Sequence, residues 1–281
     1  MNQRILITGA AGYIGHQLGN RLAADFPVIG TDIRSRDDLN FALHQLDVRD
    51  PRLADLLRSE QITHVVHLAS ILQASPDRAR DYDIDVNGTR NVLDCCLQAG
   101  VRHFTVTSSG AAYGYHPDNP AWIDEQDALR GNPEFAYSDH KRLIEEMLAE
   151  YRAEHPELAQ LIFRPGTVLG ADTRNQITNL FRAPRILALK GSDSPFVFIW
   201  DQDVIGAMEM GLREGKTGIY NMAGDGALTM REIAERLNKP LMTLPVWLVK
   251  AGLQIAKWRG KPTGPEQVRF LLYRPVLSTR R

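Results

Sequence analysis

The chain has 281 residues, of which 43% are hydrophobic and 24% charged, as in a globular protein with one large α/β domain or a domain with a small appendage. Its 33 basic and 34 acidic side chains give a formal net charge of −1, so the charge balance does not favour nucleic acid as a partner. The two cysteines, Cys95 and Cys96, are adjacent and provide neither a disulfide framework nor metal-ligand spacing. The first residues match neither a signal peptide nor a membrane span, so we expect a cytoplasmic protein.

Short β-rich runs alternate with helical patterns through the first 170 residues. Strands are predicted over 5–8, 28–31, 43–48, 64–68, 104–108 and 161–163. Helices are predicted over 13–25, 85–99 and 138–155, with a short one opened by Asp50-Pro51; Gly100 and Pro156 follow two of these helices and are typical end signals. Such alternation predicts an α/β fold with a doubly wound parallel sheet, the Rossmann arrangement.

Beyond Gly170 the alternation becomes less regular. Strands over 196–199 and 218–221 are predicted to rejoin the sheet, whereas 172–190 and 240–281 do not resemble further βαβ units. We therefore expect a dinucleotide-binding domain over 1–170, completed by about 196–224, and a smaller substrate-binding lobe built from 171–195 and 225–281. From Lys250 onward the chain has eight basic residues and one acidic residue, which favours a solvated surface over an anionic substrate site or a membrane surface.

A glycine-rich turn, Gly9-Ala10-Ala11-Gly12-Tyr13-Ile14-Gly15, follows the first predicted strand and opens the first helix. Gly9 permits the tight turn, Gly12 lets the backbone approach a pyrophosphate, and Gly15 lets the helix pack closely on the strand. The helix N-terminus then presents backbone N–H groups to the phosphates. The alternative, an ordinary turn, is disfavoured because the strand, the helix and a downstream acidic residue are all present.

That acidic residue is Asp32, about twenty residues beyond the glycines at the end of the second strand. A carboxylate there accepts hydrogen bonds from the adenosine ribose and repels a 2′-phosphate, which favours NAD over NADP. Arg34 and Arg36 leave NADP possible, because a guanidinium pairs well with a 2′-phosphate.

Tyr137 and Lys141 are four residues apart on a predicted helix and so share one face. A phenol is a weak acid, and a neighbouring ammonium favours the phenolate, so Tyr137 is the candidate that exchanges a proton with a substrate oxygen while hydride moves at the carbon. Lys141 is also expected to bind the nicotinamide ribose. Ser109, just after a strand, is expected to donate a hydrogen bond to the same oxygen. Alone, this spacing is common, and a plain pair on a helix face is the alternative.

Together these residues resemble the extended short-chain dehydrogenase/reductase family, which includes the NAD-dependent nucleotide-sugar epimerases and dehydratases. The resemblance extends along most of the chain. Besides the residues above, it rests on Asp47-Val48, His67-Leu68-Ala69-Ser70, Val86-Asn87-Gly88-Thr89, the segment from Thr107 to Gly114, Tyr137-Ser138-Asp139-His140-Lys141, the segment from Arg164 to Gly170, Trp200-Asp201-Gln202-Asp203-Val204 and Tyr220-Asn221-Met222-Ala223-Gly224.

The resemblance implies a catalytic set and a cofactor set, and no metal. The catalytic residues are Ser109, Tyr137 and Lys141. The implied cofactor-binding residues are Gly9, Gly12, Tyr13, Ile14, Gly15, Asp32, Arg34, Asp47, Val48, Leu68, Ala69, Ser70, Asn87, Ser108, Tyr137, Lys141, Pro165 and Thr167.

Three departures from the family pattern bear on the substrate. Sugar-nucleotide dehydratases carry an Asp-Glu pair where this chain has Ser109-Gly110, so dehydration is disfavoured. Many nucleotide-sugar enzymes place a diphosphate-binding Arg where this chain reads Ser194-Pro195-Phe196-Val197, which leaves Arg174, Arg182 or Arg185 as substitutes. Family members also usually continue for a further segment beyond the position of Arg281.

We therefore expect an oxidoreductase of the epimerase/dehydratase type that acts on a small molecule, a sugar or nucleotide-sugar, as a homodimer without a membrane span. The alternatives are a net dehydrogenase or reductase of a non-nucleotide alcohol, aldehyde or ketone, and a non-catalytic dinucleotide sensor. The apolar run over 244–258 is expected to form core or pocket wall; a dimer interface and a membrane-surface helix are its alternatives. His64 and His67 are expected to be structural, and His116 a loop residue.

Overall fold

The computed structural model describes residues 3–72, 75–173, 175–260 and 264–280. The strands, numbered in chain order, are β1 (Ile5–Thr8), β2 (Val28–Asp32), β3 (Ala42–Gln45), β4 (His64–His67), β5 (His103–Thr107), β6 (Ala159–Pro165), β7 (Thr167–Leu169), β8 (Ile186–Leu189), β9 (Phe198–Trp200), β10 (Gly218–Met222) and β11 (Leu241–Leu244). Seven of them form one parallel sheet in the order β10-β6-β5-β4-β1-β2-β3. The chain winds outward from β1 in both directions, so the predicted doubly wound fold is confirmed.

Within the described ranges, ten α-helices connect and cover the strands. They are α1 (Tyr13–Leu22), α2 (Leu53–Ser59), α3 (Arg78–Tyr82), α4 (Gly88–Ala99), α5 (Ala136–Glu154), α6 (Gln176–Arg182), α7 (Asp201–Arg213), α8 (Met230–Arg236), α9 (Val246–Trp258) and α10 (Val268–Leu272). A π-helical turn (Asp83–Asn87) leads into α4, and 3₁₀ turns lie at Gly110–Tyr113 and Pro265–Gln267. None of these helices combines the length and apolar character needed to cross a bilayer.

Apolar side chains fill both faces of the large sheet. On one face, Leu18 of α1 and Met208 of α7 pack with Ile7 of β1. On the other, Leu93 of α4 and Leu148 of α5 join a cluster with strand residues from β1, β4 and β5. Because both faces are covered, β1 and β4 are fully buried, as a parallel sheet requires.

Several predicted boundaries move by two or three residues. The first helix ends at Leu22 rather than at residue 25, and the predicted strand over 43–48 is observed as Ala42–Gln45. Helix α5 begins at Ala136, two residues earlier than predicted, which places Tyr137 in its first turn. Gly100 ends α4 in the left-handed conformation (φ 71°), as its position predicted.

The prediction that 196–199 rejoins the large sheet is wrong. The strand there is β9, and it pairs with β7 in a separate two-stranded parallel sheet, whereas β10 does join the large sheet beside β6. A further parallel pair joins β8 and β11. Short apolar runs show that a segment is extended, but its partner is decided by long-range packing, so the pattern could not identify it.

The last described residues return to the sheet edge that carries the predicted catalytic segment. The Ile123 backbone nitrogen donates to the Val276 carbonyl, and the Ser278 nitrogen donates to the Ile123 carbonyl, each at 2.8 Å. Leu277 packs against Gly110, where a Cβ would lie 3.2 Å from the leucine side chain. These contacts tie the end of the chain to the turn that follows Ser109.

Candidate active site

A cavity of about 1470 Å³ opens at the carboxyl end of the large sheet, where the strand order reverses between β1 and β4. Open α/β sheets bind their ligands at this reversal. With the exception of Asn87, every residue that the sequence proposed for catalysis or cofactor binding lines it. These lining residues are Gly9, Gly12, Tyr13, Ile14, Gly15, Asp32, Arg34, Asp47, Val48, Leu68, Ala69, Ser70, Ser108, Ser109, Tyr137, Lys141, Pro165 and Thr167.

The glycine-rich turn leaves its backbone open to the cavity. Gly9 has a φ of 69°, and a Cβ there would lie 2.7 Å from the backbone nitrogen of Ala69, so the turns after β1 and β4 touch each other. Gly12 begins α1 in an extended conformation and has no side chain to cap the helix. The first N–H groups of α1 therefore face a space that an anionic group fits.

Asp32 is the last residue of β2, and its side chain hydrogen-bonds to this turn. Its carboxylate is 5% exposed and accepts hydrogen bonds from the backbone nitrogens of Ala11 and Arg34, each at 3.0 Å. The Arg34 guanidinium lies 3.4 Å from the same carboxylate, and its side chain is 66% exposed. The acidic and the basic group that bear on the choice between NAD and NADP thus lie together at one edge of the cavity.

Asp47 and Val48 follow β3 at the same edge. Arg49 hydrogen-bonds to Asp47 through Nη2 at 2.7 Å, and this bond holds the pKa of the Asp47 carboxyl below its usual range. A Cβ on Gly88, at the start of α4, would lie 2.8 Å from Val48, so the glycine lets α4 pack tightly against this loop.

The predicted catalytic residues lie on two neighbouring elements. Lys141 is 5% exposed on α5, its Nζ lies 5.7 Å from the centre of the Tyr137 ring, and it donates to the Thr107 carbonyl at 3.0 Å. Ser109 follows β5, and its Oγ accepts from the Ala111 backbone nitrogen at 3.1 Å. That contact occupies an acceptor position of the hydroxyl and leaves its proton available for donation.

A buried ion pair lies behind the catalytic segment. Arg164 at the end of β6 donates through Nη2 to Glu145 of α5 at 2.6 Å, and both side chains are under 5% exposed. Burial lowers the pKa of Arg164, but the hydrogen bonds and the Coulomb attraction to Glu145 together outweigh burial, so the pKa is raised. Ser108 also donates to Glu145 through a short hydrogen bond. Both serines line the cavity, but the hydroxyl proton of Ser108 is used in the bond to Glu145, whereas that of Ser109 is available for a substrate.

Asn87 does not meet the cavity, in contrast to the expectation. It is the last residue of the π-helical turn over Asp83–Asn87, where it is exposed and donates to Asp83 at 2.9 Å. Asp85 of the same turn points inward instead. It accepts from the Ile71 backbone nitrogen at 2.8 Å and contacts His140 at 2.9 Å.

The Asp85–His140 contact is a connection that sequence reasoning missed. It joins the loop after β4, which includes Ser70, to the helix that carries Tyr137 and Lys141. Both partners are buried: Asp85 directly precedes the motif Val86-Asn87-Gly88-Thr89, and His140 lies within the motif Tyr137-Ser138-Asp139-His140-Lys141. A histidine just before Lys141 and an aspartate just before Val86 were the signals available.

The arginines considered as substitutes for a diphosphate-binding residue lie elsewhere. Arg182 donates to the Thr173 carbonyl at 3.1 Å, and neither it nor Arg185 is among the described lining residues; Arg174 lies outside the described residues. Arg274, by contrast, is a buried basic residue that lines the cavity. Its guanidinium lies 3.9 Å from the centre of the Phe196 ring and donates to the carbonyl of Pro195 at 3.2 Å. Burial lowers the pKa of Arg274 to about 9, so it remains protonated near pH 7.

The far half of the cavity is walled by apolar side chains. They come from elements that lie outside the large sheet: α6, β8, the segment before β9, α9 and α10. The apolar lining residues there are Ile177, Leu180, Leu187, Phe196, Val197, Val249, Leu253, Phe270 and Leu271.

Comparisons with known proteins agree with this arrangement. A model described as the NAD dependent epimerase/dehydratase family matches residues 5–223. An uncharacterised protein of Mycobacterium tuberculosis is 25% identical over 99% of this chain and 77% of its own length. An N-acetyl-alpha-D-glucosaminyl-diphospho-ditrans,octacis-undecaprenol 4-epimerase of Escherichia coli O157:H7 is 28% identical over 87% of this chain and 76% of the relative. Among solved structures, the UDP-glucose 4-epimerase of Thermus thermophilus in complex with NAD has a TM-score of 0.72 and 25% identity, with 86% of each chain covered.

The chain belongs to the NAD-dependent epimerase/dehydratase family. The predicted family, its enzymatic class and NAD as the cofactor are thereby confirmed. The members of this family are enzymes, which argues against the alternative of a non-catalytic dinucleotide sensor.

Proposed function

We propose that this enzyme inverts a hydroxyl-bearing carbon of a sugar, with Tyr137 as acid and base. The observation that carries the proposal is the convergence of Tyr137, Lys141 and Ser109 on the cavity that also contains the glycine-rich turn and Asp32. The glycine-rich turn would hold the dinucleotide at the carboxyl end of the sheet, in the cavity that the catalytic residues also line. The same cavity then holds both reacting partners.

NAD held at Gly9, Gly12 and Asp32 would supply the acceptor and donor of the hydride that leaves and returns to the substrate carbon. Tyr137 removes the proton of the substrate hydroxyl as that carbon is oxidised, and returns it to the same oxygen as the carbon is reduced from the opposite face. The nearby Lys141 ammonium stabilises the tyrosinate by Coulomb attraction. Ser109 donates its proton to the reacting oxygen and positions it. Substrate and product have the same oxidation state, so no external oxidant or reductant is consumed.

The residues at the nucleotide end fit NAD. The open backbone at Gly9 and Gly12 suits a pyrophosphate, and the Asp32 carboxylate suits the two ribose hydroxyls. A 2′-phosphate at that place would have to approach the Asp32 charge, with the exposed Arg34 as its compensating cation. We propose NAD as the preferred dinucleotide and Asp32 as the main reason.

The names of two relatives guide the substrate class. The Escherichia coli and Thermus thermophilus proteins are named as 4-epimerases of sugars that carry a diphosphate group. We propose a diphosphate-linked sugar as the substrate here as well. This substrate class rests on those names, since each nitrogen of the buried Arg274 guanidinium at the cavity wall already donates to a backbone carbonyl.

The test is a comparison of Tyr137→Phe with Tyr220→Phe. Tyr220 lies outside the cavity lining and donates to the Thr217 carbonyl, so it controls for loss of a hydroxyl elsewhere. We expect Tyr137→Phe to lower kcat by a factor of about 10²–10⁴, the usual contribution of general acid–base catalysis, while the Tyr220 variant keeps full activity. The readout is epimerisation of UDP-glucose and of a sugar diphospholipid. Wild-type turnover by Tyr137→Phe would contradict the assigned role.

Nucleotide content tests the closed hydride cycle separately. Denaturing the purified enzyme should release close to one equivalent of NAD and the Tyr137→Phe variant should release the same amount. An empty wild-type protein that oxidises or reduces substrate stoichiometrically with added NAD or NADH would overturn the epimerase proposal.

A net dehydrogenase or reductase of a non-nucleotide substrate is the second candidate. The apolar side chains of the far wall, such as Leu180, Leu187 and Phe270, favour it because they suit an apolar part of a substrate better than a sugar hydroxyl. Net production of NADH with an alcohol, without isomerisation, would identify this activity.

A further inference from the structure

Helix α9 carries large apolar side chains on its outward side. In this helix, all of whose residues are described, none is buried. Trp247 is 70% exposed, Trp258 is 78% exposed, and Leu248 and Ile255 are also exposed. These four are a third of the twelve large hydrophobic side chains that are exposed in the described part of the chain.

The exposed side chains form one stripe. Trp247, Ala251 and Ile255 follow each other at spacings of four residues and so lie above one another on the helix. Trp258 lies eleven residues after Trp247, close to three full turns, so both indoles project on the same side about 16 Å apart. A water-exposed helix normally presents polar side chains to solvent, whereas α9 presents large apolar ones.

The opposite side of α9 belongs to the cavity. Val249 and Leu253, again four residues apart, line the cavity that contains the catalytic residues. Lys257, one turn further on, lies between the two sides: it also lines the cavity, and its side chain is half exposed. The helix therefore separates the cavity from whatever surface covers the outward stripe.

The charge around α9 indicates what kind of surface binds to the exposed apolar side chains. Residues 236–265 contain six Lys or Arg and no Asp or Glu, in a chain with a formal net charge of −1. Lys250 and Lys257 border the apolar stripe, and Arg259 follows the helix. Lys257 makes an exposed contact with Glu266 at 3.4 Å, which such geometry makes weak.

A second copy of the chain fits this surface poorly. A two-fold interface brings the same patch of each subunit together, so the cationic border would face itself. One helix of 13 residues also provides less than the area of about 800 Å² per partner that a stable interface buries. An extended anionic surface attracts the basic residues instead of repelling them, and it does not need a large complementary area on one helix.

We propose that α9 seats this enzyme on an anionic lipid surface. Trp247 and Trp258 enter the interfacial region at the two ends of the helix, where indole rings are favoured, and Ile255 and Leu248 lie between them. Lys250, Lys257 and Arg259 contact lipid phosphates. The protein lies on the bilayer rather than across it, with the α9 wall of the active-site cavity next to the headgroups. This proposal does not depend on the reaction proposed above.

The test is co-sedimentation of the full chain, without substrate, with vesicles of phosphatidylcholine alone or mixed with phosphatidylglycerol. We expect binding to mixed vesicles at least about tenfold stronger than to neutral ones, since each surface cation contributes on the order of a five-fold gain. The variant Trp247→Ser/Ile255→Ser/Trp258→Ser should lose this binding. The matched control is Trp122→Ser/Trp200→Ser, which removes two exposed indoles elsewhere and should bind as the wild type does.

A second double variant isolates the charge. Lys250→Gln/Lys257→Gln should keep the apolar stripe and lose most of the preference for anionic vesicles. High salt screens exposed charges, so it should reduce the same preference in the wild type. Failure of the wild type to bind mixed vesicles would overturn the proposal. So would a wild-type dimer that the triple variant converts to monomer without any vesicle binding, which would assign the stripe to a second copy. Thermal unfolding of each variant, expected to match the wild type, shows that it is folded.

Discussion

Helices α5 and α9 line the same cavity and differ in almost every other respect. Helix α5 buries nine of its 19 residues, including the ionisable Lys141 and Glu145, whereas α9 buries none of its 13. Polar groups on α5 are held by fixed partners, such as Arg164 for Glu145 and the Thr107 carbonyl for Lys141. Large apolar groups on α9, such as Trp258, are left in water.

The difference indicates two roles. A group that exchanges a proton with substrate must be held in place, and buried charges with complete hydrogen bonding provide that rigidity. A helix that meets a fluid surface needs apolar area and loosely held cations instead. The predictions below test this contrast, from the largest expected effect to the smallest.

The largest effect is expected at the buried ion pair of α5. Glu145→Gln removes the negative charge that compensates Arg164, and leaves that guanidinium buried without an anion. We expect the free energy of unfolding to fall by about 3–5 kcal/mol, measured by urea denaturation. Because Ser108 also bonds to Glu145, activity should fall in the fraction that remains folded.

The corresponding pair on α9 is the control. Lys257 and Glu266 are both partly exposed, and Glu266→Gln should change the free energy of unfolding by less than about 1 kcal/mol. Equal losses for Glu145→Gln and Glu266→Gln would remove the distinction between the two helices.

An effect of intermediate size is expected from the pH dependence of the free energy of unfolding, through His67. Burial, and next the charge of Lys141, lower the pKa of His67 to about 3, and both of its ring nitrogens contact threonine hydroxyls, Thr8 and Thr89. In the unfolded chain a histidine titrates near 6.5. Below that pH the imidazole is protonated in the unfolded chain but stays neutral in the folded chain. The free energy of unfolding is therefore highest above about pH 7 and falls as the pH drops toward 3. Between pH 7 and 5 this site alone should remove about 2 kcal/mol.

The measurement is urea unfolding at pH 7 and pH 5 for the wild type and for His67→Gln. The variant is expected to be less stable at pH 7 but to lose less between the two pH values. A half-exposed histidine on the surface, His155, offers the matched substitution His155→Gln, which should change the pH dependence much less than His67→Gln does. Parallel curves for the wild type and His67→Gln would show that His67 does not titrate in this way.

The smallest effect is expected on α9. Trp258→Ser, at a side chain that is 78% exposed, should change the free energy of unfolding by less than about 0.5 kcal/mol, because little area is lost from the folded core. Leu148→Ala, at a fully buried position of α5, should cost about 2–5 kcal/mol in the same assay. A large loss for Trp258→Ser would mean that the helix packs against the protein more closely than its exposure indicates.

The sequence by itself predicted the nucleotide end of the site because that end is built from local patterns. A glycine between a strand and a helix, as at Gly9, has a conformation that its immediate neighbours dictate. An acidic residue at the end of the next strand, Asp32, is brought alongside by the sheet itself. The pair Tyr137 and Lys141 needed only the helical repeat to share a face.

The tertiary structure decided what depends on packing between distant segments. It turned Asn87 outward and Asp85 inward through one π-helical turn, and it paired β9 with β7 instead of with the large sheet. It also turned the apolar stripe of α9 away from the protein, although the same spacing is typical of a core helix. Periodicity shows which residues of a helix lie together, but the direction in which that face points is set by contacts that no local pattern contains.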